Sequence, residues 1–230
     1  MDDPRGTLAL VGGAEWTEGC AFDAELLADS GGADVLVLPT AAAYEHPERA
    51  VVAAGRWFEP LGGQVEGLMV LSRADAEDAG AARRVRQARF LYLSGGSPLH
   101  LRSVLKGSLV LAALEAAWAE GAVVAGSAAG AMVLTDPMVD PRGGALTVGL
   151  GLVAGMAVVP HYGDAHDDAH GEKLHRTVAL APPGLAVVGV PERTALIRRS
   201  GGVWSSAGAG QVAVFVDGVA APAGVAALPA

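Results

Sequence analysis

The residues best suited to chemistry in this chain fall into three separated segments. They are the run Gly126-Ser127-Ala128-Ala129-Gly130, a histidine at the end of Val158-Val159-Pro160-His161, and a carboxylate in Gly189-Val190-Pro191-Glu192-Arg193. The spacing Gly126-x-Ala128-x-Gly130 is that of a nucleophile elbow, where a strand turns sharply into a helix. Small residues two positions to either side let the backbone fold that tightly. Amide groups opening the following helix can hold a developing oxyanion. A lone histidine at a strand end is more often structural than catalytic, and a carboxylate between strands more often a solvated turn; it is their combination with an elbow that points to chemistry. At the centre of this elbow stands alanine, whose methyl group cannot attack a carbonyl. An elbow centred on Ser127 is disfavoured, because adjacent side chains at such a turn point in different directions. A fourth segment, LYLSGGSPLHL (91–101), reads as a strand ending in Gly95-Gly96 and entering a helix, and it offers further backbone N–H groups.

These residues need a framework, and the 230-residue chain has the means to build one. It is 51% hydrophobic and 18% charged, which excludes a disordered chain. The net charge of −9 leaves no basic surplus to neutralise a nucleic-acid backbone. The single cysteine, Cys20, cannot form an internal disulfide. With no basic apolar leader at the N-terminus, the expectation is a cytoplasmic protein. No membrane span is expected, since the most apolar run, 109–126, is broken by Glu115 and Glu120.

Strand patterns at 7–11, 35–38, 65–70, 90–93 and 122–125 alternate with helical patterns at 22–28, 47–58, 74–87 and 109–119. Continuous apolar strands separated by helices predict an α/β fold with a mostly parallel central sheet covered on both faces. Ligands then collect beyond the carboxyl ends of the strands, at Gly12-Gly13, Pro39-Thr40, Gly95-Gly96 and Gly126-Ser127. The expected organisation is one domain over 1–230: an α/β core (1–186), a β-rich mixed or antiparallel extension (187–220), and a tail (221–230).

Taken together, SGGSPLHL, AGSAAGAM, TDPMVDPRGG, VVPH and GVPERTAL resemble the serine peptidases typified by aspartyl dipeptidase (peptidase E) and cyanophycinase. The resemblance covers roughly residues 12–196. It implies a class I glutamine-amidotransferase-like, flavodoxin-like architecture. It also implies that Ala128 occupies the nucleophile position, that His161 is the general base and that Glu192 orients it. Asp136 is a second candidate for the third triad member, with Asp140 its competitor. The oxyanion hole would use Ala129 N–H with Gly95 or Gly96 N–H, with Ser127 alongside. Cys20 is far from the elbow, so amidotransfer is not supported.

Two accounts of Ala128 compete: an engineered Ser→Ala change that traps a ligand, or a natural binding-only chain. The first is preferred, because base, orienter and glycine pair all persist. The implied substrates are short α- or β-aspartyl peptides, with Arg142, Lys173, Arg176 and Arg193 as candidate cations for the carboxylate. The expected partners are a small peptide and, as an assembly option, a second copy of the chain, with no nucleic acid, membrane or cofactor. A metal site at His166 and His170 with Asp164 or Asp168, near Asp167 and His175, is the alternative for the histidine-rich stretch. The bland reading, a solvated polar segment entering a helix, is preferred to it.

Overall fold

The computed structural model describes residues 5–32, 34–163 and 168–229. Strands β1 (Leu8–Val11), β2 (Asp34–Leu38), β3 (Gln64–Gly67), β4 (Phe90–Leu93) and β5 (Val123–Ser127) run parallel in the order β1-β5-β4-β2-β3. Helices α1 (Phe22–Asp29), α2 (Pro47–Phe58), α3 (Arg73–Ala76), α4 (Ala79–Gln87), α5 (Pro98–Leu105) and α6 (Leu109–Ala119) lie between them in the chain. Helix α7 (Ala129–Leu134) follows β5 directly. Two later strands complete the seven-stranded sheet: Thr194–Arg198 pairs antiparallel with β1, and Trp204–Gly208 pairs antiparallel with Thr194–Arg198.

The two-residue period of each strand divides its side chains between two cores. Leu8, Leu10, Leu36, Leu38, Leu91, Leu93 and Val124 pack on one face. Ala9, Val11, Val35, Val37, Phe90, Tyr92, Val123 and Ala125 pack on the other. A sheet covered on both faces requires near-continuous apolar strands, and LALV and FLYL are fully buried. Side-chain caps set where several helices begin. Ser97, Ser108 and Asp78 accept from the N–H groups of His100, Leu111 and Ala81.

One expectation is corrected. The helical pattern at 74–87 is two helices, because Ser72 and Asp75 form a capping box for α3 and Asp78 then caps α4. The chain after 187 is β-rich with antiparallel pairing, as expected, and it joins both sheets. Its strand Thr194–Arg198 sits inside the central sheet beside β1, while Ala186–Gly189 pairs parallel with Met156–Val159 in a four-stranded second sheet. Met132, Val139, Val159, Leu174 and Val187 form a third core there, which joins α7 and α8 (Asp168–Leu180) to the second sheet. This arrangement brings residues from 159–161 and 191–194 to the carboxyl ends of β1 and β5.

Candidate active site

The elbow is formed as the spacing predicts. β5 ends at Ser127, Ala128 has φ 45° and ψ −101°, and α7 begins at Ala129. A non-glycine residue in that region is strained and persists only where its surroundings hold it. Ala128 N–H donates to Val11 O at 2.9 Å, and Ala128 O accepts from Met132 N–H at 3.0 Å. The flanking glycines are required by close approach. A Cβ on Gly126 would lie 2.6 Å from the Gly130 carbonyl carbon, and one on Gly130 would lie 2.5 Å from Leu93 O.

His161 and Glu192 meet at the same edge. His161 Nδ1 and Glu192 Oε1 are 2.8 Å apart, with side chains 29% and 37% exposed. An ionised carboxylate at Nδ1 fixes the proton there and leaves Nε2 as the basic nitrogen. Both residues are positioned through the loop after β1: His161 N–H donates to Gly12 O at 2.8 Å, and Arg193 N–H donates to Gly13 O at 2.9 Å. The imidazole lies directly over Gly13, where a Cβ would come within 2.4 Å of Cε1.

That loop also carries Glu15, a residue the sequence reading did not single out. Its Oε1 accepts from Gly95 N–H at 3.0 Å, and its Oε2 accepts from the Ser127 hydroxyl at 2.7 Å. One carboxylate therefore ties the glycine-pair turn to the elbow. The available signal was Gly12-Gly13 at a strand end with an acidic residue two positions beyond.

The remaining candidates take up the following partners. Gly95 N–H is taken by Glu15, so Gly96, which lines the cavity beside Ala128 and Ala129, is the member of the pair that faces it. Ser127 is fully buried with its hydroxyl committed to Glu15 and does not line that cavity. The carboxylate reaching His161 Nδ1 is that of Glu192, while Asp136 Oδ1 accepts from Gly149 N–H at 3.0 Å. Arg142 is spent on Asp140, with Nη2 to Oδ2 at 2.6 Å and Nε to Oδ1 at 3.0 Å, and this holds the Asp140 carboxyl down at about 2. Arg176 Nη1 donates to Gly143 O at 3.4 Å. The Arg193 stem packs on Gly19. Asp164, His166 and Asp167, and the side chains of Asp168, His170 and Lys173, lie outside the described residues, and His175 is exposed. Among the described residues no His/Cys/Asp/Glu group is arranged to hold a metal ion, and no helix is long and apolar enough to cross a membrane.

The cavity at this edge measures about 170 Å³ and is bounded by Gly96, Ala128, Ala129 and His161 together with the side chains of Pro98, Met132, Val139, Pro141, Val159 and Pro160. An elbow with a methyl group at its centre, helix-opening amides, a glycine-pair amide and a carboxylate-held imidazole thus surround one cavity.

The profile of peptidase family S51 matches residues 8–204. The cyanophycinases of Synechococcus elongatus and of Thermosynechococcus vestitus are each 26% identical over 226 residues, covering 91% of this chain and 68% of theirs. A crystal structure of a peptidase from an acI-B1 Actinobacterium superposes with a TM-score of 0.81 at 28% identity, covering 93% of this chain and 91% of that one. A structure from Listeria monocytogenes EGD-e described as a peptidase E candidate shares the fold, with a TM-score of 0.69 at 18% identity over 90% of this chain and 100% of that one.

Proposed function

The chain belongs to peptidase family S51, a serine-peptidase family, and on that premise we propose that it binds short peptides at the Ala128 elbow and, as its sequence stands, holds them uncleaved. The observation that carries this reading is the elbow itself. Ala128 is kept in the strained conformation that a nucleophile needs, with the His161–Glu192 pair beside it. Strain of that kind is not retained by an ordinary turn.

The geometry supports the following roles. A serine hydroxyl at 128 would attack the peptide carbonyl and give its proton to His161 Nε2, while Glu192 stabilises the imidazolium that forms. Ala129 N–H and Gly96 N–H would receive the oxyanion. Without the hydroxyl, turnover should fall by roughly 10⁶-fold, while ground-state contacts to the peptide remain. The family resemblance implies short α- or β-aspartyl peptides, which are the first ligands to test. A reducing cytoplasm is the compartment that suits the lone, buried Cys20.

Restoring the hydroxyl with Ala128→Ser tests the reading. Short peptides should then be hydrolysed, and the unmodified chain should bind the same peptides with comparable affinity. A chain built for binding alone would hold the peptides yet stay inactive after the substitution. Absence of both binding and turnover would remove the proposal.

A further inference from the structure

Resting on the peptide-binding reading above, we infer that the cavity beside the elbow selects an uncharged apolar side chain of valine, leucine or methionine size, so that a peptide must bring such a residue to bind well. The first support is the lining. Six side chains from four parts of the chain converge there: Pro98 opening α5, Met132 on α7, Val139 and Pro141, and Val159 with Pro160 ahead of His161. Pro98, Met132, Val139 and Val159 also belong to the buried part of the protein, which makes this wall fixed in shape. His161 is the one titratable side chain among the described residues that line it, and its Nδ1 is committed to Glu192.

The second support is where the nearby charges go. The Arg142 guanidinium, one residue from the lining Pro141, is doubly bonded to Asp140. Arg102 Nη1 donates to Thr147 Oγ1 and Val148 O, and Lys106 Nζ donates to Gly149 O and Leu150 O. These cations secure the 140–150 segment from outside the cavity. A carboxylate placed in the cavity would lose its hydration with no fixed cation among the lining residues to replace it. The third support is size: about 170 Å³ is comparable to apolar cavities of roughly 150 Å³ that accept a benzene-sized group. A branched or thioether side chain fits, and its transfer from water is favourable.

The test is calorimetric titration of the unmodified protein with Leu-Leu, Asp-Leu, Leu-Asp, Asp-Asp and Asp-Arg. Leucine-bearing peptides should bind at least tenfold more tightly than Asp-Asp and Asp-Arg. Equal or tighter binding of Asp-Asp or Asp-Arg would overturn the inference while leaving the peptide-binding reading intact. Failure of all five would overturn both. Two variants locate the effect. Pro141→Arg, at the partly exposed rim, should narrow or invert the preference by adding a cation. Val139→Thr keeps the shape, exchanges a methyl for a hydroxyl, and should weaken leucine peptides several-fold. If both variants fold and neither changes the preference, the apolar residue is seated elsewhere and the inference falls.

Discussion

A histidine becomes a useful base only when something decides which of its nitrogens carries the proton. In the proposed site Glu192 would do so, its Oε1 lying 2.8 Å from His161 Nδ1. Asp136 was the rival carboxylate in the sequence, and its Oδ1 serves Gly149 N–H at the turn after α7. The two therefore separate in a serine-restored background. With Ala128→Ser in place, Glu192→Gln should lower kcat by about 10³- to 10⁴-fold, because a neutral amide can present the wrong partner to Nδ1 and no longer balances the imidazolium. Asp136→Asn keeps an oxygen for Gly149 N–H and should leave kcat within a few-fold. Steady-state kinetics on the two double variants decide the matter, and a larger loss from Asp136→Asn would reverse the assignment.

At the scale of elements, the loop after β1 deserves as much weight as the elbow. Backbone carbonyls at Gly12 and Gly13 receive the His161 and Arg193 amides, and Glu15 holds the Gly95 amide and the Ser127 hydroxyl. This short stretch thus touches the segments that carry the elbow, the glycine pair, His161 and Glu192. Removing both acceptors with Glu15→Ala should cost about 1–3 kcal/mol of stability, and in the Ala128→Ser background it should lower kcat more than it changes KM. Glu15→Gln should recover most of the loss, because its oxygen can accept from Gly95 N–H while its NH₂ donates to Ser127 Oγ. A purely structural role would instead lower stability and leave the kcat of the folded fraction untouched.

The same contrast explains what the sequence could and could not tell. The elbow was legible because Gly126, Ala128 and Gly130 act within one turn, and the strands because burial on both faces writes itself into short apolar runs. The boundary between α3 and α4 was also local, in Ser72, Asp75 and Asp78, and was missed because the helical periodicity continues across it. Glu15 was beyond reach for a different reason. Its partners lie 80 and 112 residues away, and nothing in a loop carboxylate announces them. Of the candidate cations, Arg142 is satisfied by Asp140 two residues earlier, a local pairing that the sequence places within reach but does not announce. The antiparallel character of Thr194–Arg198 was legible locally, whereas its pairing with β1, at the other end of the chain, is a long-range event.

For the molecule as a whole, one buried carboxyl makes stability fall as the solution approaches neutrality. Asp23 on α1 is fully buried; its Oδ2 accepts from Trp57 Nε1 at 2.9 Å, and its Oδ1 has no hydrogen-bond partner among the described residues. Burial raises its pKa from 3.8 to about 7, with the Trp57 hydrogen bond opposing the shift and the charge of Glu15 adding to it. Between about pH 4 and pH 7 the unfolded chain has released this proton while the folded chain keeps it. The native state then binds more protons, so unfolding becomes easier as pH rises, and above about pH 7 the effect is complete. A shift of this size corresponds to at most about 4 kcal/mol. Asp140 and Asp75 work in the opposite sense, since their lowered pKa values give stability that is lost only as pH falls below the ordinary carboxylate range. Thermal unfolding should therefore show a Tm several degrees higher at pH 5 than at pH 7.5, given about 2–4 °C per kcal/mol for a chain of this length. Asp23→Asn keeps an oxygen for Trp57 and cannot ionise, so it should flatten the profile over that range. An unchanged slope in the variant would mean that the proton being lost belongs to another group.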